Sequence, residues 1–75
     1  MTLEERTKAA VKALSEAKDQ EALYKVEAQC TRLLADLKAI YDQAPTACPE
    51  WQMAKQIHHA RLNRAGELAE MAVGV

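Results

Sequence analysis

Apolar residues recur along this chain at steps of three and four, and no segment alternates with period two. That periodicity predicts helices and no strands. The strongest run is Leu23, Val26, Cys30, Leu33, Leu37, Ile40 and Ala44, with steps of 3, 4, 3, 4, 3 and 4. It is a seam of the coiled-coil type. Leu34 and Tyr41 widen it to one side, while Lys25, Gln29, Arg32, Asp36 and Gln43 line the opposite face. An earlier and narrower stripe joins Leu3, Thr7, Ala10, Leu14 and Ala17, with Val11 beside it. Its start is marked by Thr2-Leu3-Glu4-Glu5, a capping-box pattern.

These two stripes are out of phase. Leu14 and Leu23 are nine positions apart, which at about 100° per residue puts them on opposite sides of a straight helix. Two arrangements satisfy this. The chain breaks near Lys18-Asp19-Gln20, with Asp19 capping the next helix. Alternatively, one long helix runs from Leu3 to about Gln43 and buries different faces against different neighbours. Pro45 and Pro49 supply the clearest punctuation. Pro45 ends the second helix, and Pro49 suits the first turn of a third, with Cys48 or Thr46 as its cap. On the third helix, Trp51, Ala54, His58, Leu62, Ala65, Ala69 and Ala72 share one side, extended by Ile57 and Leu68. Gly66, with Ala65 and Ala69, offers room for another backbone. The predicted architecture is all-α: helices over about 3–17, 20–43 and 49–72, the last two forming an antiparallel hairpin, with the first packing on it or on a sister chain.

Composition changes this picture in one respect. The chain has 75 residues, one Trp and no Phe, and is rich in Ala. Small chains bury a modest share of their surface and often need support from another chain. A homo-oligomer, a dimer first, is therefore expected to complete the fold. The net charge of −1 speaks against a nucleic-acid binder and against docking on anionic lipid. No apolar run approaches the roughly 20 residues of a membrane helix. The opening MTLEERTKAA reads as a helix start without the apolar core of a secretory signal, so a cytoplasmic location is expected. Two cysteines are too few for a disulfide framework, and both are expected to be reduced thiols.

Candidate chemistry concentrates in Gln56-Ile57-His58-His59-Ala60-Arg61-Leu62-Asn63-Arg64. His59 projects onto the polar face, which is a solvated position. His58 projects into the apolar arc near Leu62, and Arg61 falls in the same arc. An arginine there lays its stem along apolar surface with its head in water, pairs with a carboxylate at a subunit interface, or holds an anionic ligand. Lys55 and Arg64 add positive charge nearby, diluted by Glu50, Glu67 and Glu70. Tyr24 points away from the second helix's seam and is either an exposed ring or part of a contact surface. Cys30, Cys48, His58 and His59 are metal-ligand types, but their spacing fits no zinc pattern. Cys30 sits in the seam, where a thiol is inert packing; Cys48 is expected to be better exposed. No catalytic constellation, metal site or cofactor is implied.

The plan of helix, Cys48-Pro49-Glu50 turn and Ala-rich helix covers about the last third of the chain. It resembles small phage-encoded helical-hairpin proteins that sequester signalling nucleotides. That resemblance implies an anionic, nucleotide-type ligand. The residues themselves favour a non-enzymatic protein–protein interaction module, such as a small bacterial or phage accessory or inhibitor protein. Its partners are a second copy and an unidentified protein, and its contact residues are drawn from Arg61, His58, Arg64, Tyr24 and Lys55. The alternative is a small-anion binder in which these cations line a pocket between subunits.

Overall fold

A computed structural model describes residues 1–44 and 48–73. It contains α1 (Leu3–Ser15), α2 (Gln20–Tyr41) and α3 (Pro49–Val73). The chain does break before α2. The Asp19 carboxylate accepts a hydrogen bond from the Ala22 N–H at 2.8 Å, and its extended backbone places it as the N-cap. Two turns of one apolar face cannot continue onto the opposite face of the same rod, so the chain stops at Ser15 and restarts at Gln20. The capping box at Thr2 forms on both sides: Thr2 Oγ1 accepts from the Glu5 N–H, and the Glu5 carboxylate accepts from the Thr2 N–H, each at 3.1 Å.

Three contacts fix the topology. Arg6 near the start of α1 pairs with Asp36 near the end of α2 at 3.1 Å. Arg61 in α3 pairs with Glu27 in the first half of α2 at 3.4 Å. The Arg64 Nε–H donates to the Ala17 carbonyl, just past α1, at 2.8 Å. Hence α1 and α3 run parallel to each other and antiparallel to α2. All three helices feed one core, whose fully covered members are Leu14, Leu37 and Ile57, with Leu23, Cys30, Leu33, Ala54 and Leu68 around them. Thr7 is buried among them, and its hydroxyl donates to the Leu3 carbonyl at 2.8 Å. That bond removes the penalty of an unpaired polar group.

The helices are unequal in length, and the ends of the longer ones are left uncovered. α1 has 13 residues against 22 in α2 and 25 in α3. Because Arg6 lies beside Asp36, α1 begins level with the last turn of α2. Ile40, expected in the seam, is therefore 39% exposed, and Ala44 is exposed beyond the helix. α2 ends at Tyr41, earlier than expected, and its end tightens through Gln43 and Ala44 N–H bonds to Ile40 and Tyr41 carbonyls. The expectations for Pro45 and Thr46 fall outside the described residues. At the start of α3, the Cys48 carbonyl accepts from Trp51 and Gln52 N–H groups, which puts Cys48 in the capping position.

The third helix is rotated from its expected setting. Its inward arc is Met53, Ala54, Ile57, Arg61, Arg64, Ala65 and Leu68. Trp51, His58, Leu62, Ala69 and Ala72, expected on the buried side, are exposed. Ala54 and Ala65 belong to both stripes. The rotation follows from where bulk lies: Ile57 and Leu68 sit together on one flank of the predicted seam, and the gap between α1 and α2 selects them. No neighbour approaches Gly66, where an added Cβ would meet nothing within 4 Å. The expected close backbone approach there does not occur among the described residues.

Candidate functional site

The rotation of α3 leaves a stripe of large side chains facing outward beside α2. Trp51 is 44% exposed and Leu62 58%. Between them lie Lys55 and His58, both exposed. The Lys55 ammonium sits 4.9 Å from the centre of the Trp51 ring, so its stem lies along the aromatic face. Tyr41 of α2 closes the other side. Together with Ala54 and His59 these residues line an open groove of about 350 Å3. Its walls are mostly carbon, and the single Trp of the chain forms one end.

One turn further in, Arg61 and Glu27 form an ion pair across α2 and α3, part-buried on both sides. Beneath it lies a small cavity of about 30 Å3, lined by Leu14, Glu27, Cys30, Leu34, Ile57, His58 and Arg61. That is room for about one water molecule. Burial and the Glu27 carboxylate push the Cys30 thiol up from its ordinary pKa, so it stays protonated and unreactive at neutral pH. Cys48, expected to be better exposed, is buried as well, and both cysteines are free.

The structure separates the five sequence-derived candidates. Lys55 and His58 share the groove, but His58 lies outside the core rather than in the apolar arc. Arg61 meets a carboxylate of its own chain, that of Glu27, where a subunit-interface carboxylate, an anionic ligand or water was expected. Arg64 faces the other way. It donates to the Ala17 carbonyl and approaches Glu67 at 3.5 Å, with only 19% of its side chain exposed. Tyr24 is 69% exposed near the start of α2, 17 residues before Tyr41. That is about 25 Å along the helix axis, too far to share the groove. Of the groove's lining only Lys55 and His58 were candidates; Tyr41, Trp51, Ala54, His59 and Leu62 were not, nor was Glu27 beside it, and Trp51 and Leu62 were expected on the buried side. Glu27 left one signal: like Arg61, it is an ionisable residue of opposite sign at the edge of an apolar stripe.

Among the described residues, no group of three or more His, Cys, Asp or Glu side chains could hold a metal ion. No described helix is long and apolar enough to cross a membrane. No protein family, curated protein or solved structure matches this chain.

Proposed function

We propose that this chain is a non-enzymatic helical module that works by presenting its α2–α3 face to another protein, as a small accessory or inhibitor protein does. One observation carries the reading. A helix with enough apolar residues for two stripes buries one and leaves Trp51 and Leu62 of the other in water. Exposed aromatic and aliphatic side chains grouped in one groove and rimmed by polar residues are the anatomy of a contact surface. Trp is also among the residues that dominate binding energy when covered.

A photo-reactive phenylalanine analogue at position 62, expressed in cells, tests this. The same analogue at position 29, on the α1 side of α2, serves as comparison. Position 62 should give protein adducts that position 29 does not. Absence of any protein adduct at 62, or equal yields at both positions, overturns the reading.

The anion-binding alternative has less support. Glu27 already neutralises Arg61, the Ala17 carbonyl and Glu67 occupy Arg64, and Lys55 lies over Trp51. Among the described residues that line the groove, Lys55 is the one lysine or arginine. A thermal shift with inorganic phosphate or a nucleotide, lost in Arg61→Ala, would reverse this order.

A further inference from the structure

Lys55 differs from the other cations of the three helices. Each of those has an acid within reach. Arg6 and Arg61 form ion pairs with α2. Lys8, Lys25, Arg32, Lys38 and Arg64 pair with an acid three or four positions away along the chain, and Lys12 has Glu16 at the same spacing. Three and four positions from Lys55 stand Trp51, Gln52, His58 and His59, and no acid occurs from position 51 to position 66. Among the described residues Lys55 forms no ion pair. Its ammonium lies over the Trp51 ring instead, 4.9 Å from the centre. The groove that holds both has no carboxylate among the described residues that line it.

We infer that the groove takes a helical segment of a partner protein that carries an Asp or Glu beside its apolar side chains, with the carboxylate meeting Lys55. This rests on the reading of the α2–α3 face as a protein-contact surface and adds the chemistry of what it contacts. Covering Trp51 also covers the lysine stem that lies on it. A purely apolar partner would then strand an ammonium away from water, which is costly. A basic partner adds repulsion, whereas an acid offsets the lost hydration and fixes the register. A second copy meeting through the same stretch of α3 brings no acid from that stretch. One cation among carbon walls also fits one carboxylate better than the several charged oxygens of a nucleotide. The groove lies between two packed helices, and no residue of α1 lines it, so a further helix has room to lie along it. Trp51 and Leu62 are eleven positions apart, which sets its length at about 16 Å, or roughly three helical turns.

Selection from a phage-displayed library of random peptides, long enough for about four helical turns, tests the inference. Peptides recovered on the parent chain should be enriched in Asp or Glu relative to the unselected library, and their binding should change the emission of Trp51, the sole tryptophan. Leu62→Ser, which removes apolar wall without adding charge, should weaken that binding. Lys55→Glu should weaken it roughly five- to tenfold at low salt, because attraction becomes repulsion, and less at high salt. Replacing the peptide's acid by Lys should reverse the preference, so that it binds Lys55→Glu better than the parent. Lys55 and Leu62 are exposed, so both variants should keep the parent's helicity by circular dichroism. Peptides that need Leu62 but show no acid enrichment, or that bind the parent and Lys55→Glu equally, overturn the inference and leave the contact surface in place. Photo-adducts at position 62 that join two copies of this chain overturn it as well. Recovery of no peptide that depends on Leu62 overturns it too, and if position 62 also gives no protein adduct, the reading of the face falls with it.

Discussion

Arg64 is a residue whose chemistry reads differently once its neighbours are known. In sequence it is one of three cations near two histidines. In the fold its guanidinium reaches across to the Ala17 carbonyl at 2.8 Å, where α1 has ended and an unsatisfied carbonyl dipole remains. It therefore ties the first connection to α3. Arg64→Ala should cost about 1.5–3 kcal/mol of stability, the range for a hydrogen bond with a charged partner, as measured by urea denaturation. A stability change near zero would show that the carbonyl is equally well served by water. The sequence could place Arg64 on a helix, but nothing in it said which neighbour would lie across from it. Arg61 carries the same lesson. Its position within an apolar arc was legible; its carboxylate, Glu27, lies 34 residues away, and only the pairing of α2 with α3 brings the two together.

At the scale of elements, the ends were easier to read than the faces. Thr2, Asp19 and Pro49 act over three or four residues, and each stands where local chemistry puts it. The facing of α3 was not local. Its two overlapping apolar stripes share Ala54 and Ala65, and the choice between them depends on the shape of the gap that α1 and α2 leave. α1 is the element whose attachment depends on pH. Arg6 donates to Asp36 and holds that carboxyl below the usual carboxylate range, with Arg32 adding to the effect. The Thr2 N–H lowers Glu5 in the same sense. A carboxylate depressed in the fold contributes fully above its unfolded value, about 3.9 for Asp. Its contribution fades as the pH falls below that value and through the folded one. Asp36→Asn should therefore be less stable than the parent protein at pH 7 and indistinguishable from it near pH 2, in chemical denaturation followed by circular dichroism. A difference of the same size at both pH values would show that the Arg6–Asp36 contact contributes through packing alone.

For the whole molecule, size decides how much one core residue matters. A chain of 75 residues has roughly 4–11 kcal/mol of stability at ordinary values per residue. Leu37 is fully covered and belongs to the one cluster that all three helices build. Truncating such a leucine removes about 2–5 kcal/mol, a large part of the total. Among the described residues, α1 and the α2–α3 hairpin share that one core, so the loss should be global. Leu37→Ala is expected to melt all three helices in a single transition at a lower temperature, with the ellipticity at 222 nm and the Trp51 emission changing together. A two-step melt, with part of the helicity lost before the environment of Trp51 changes, would mean that α1 unfolds independently.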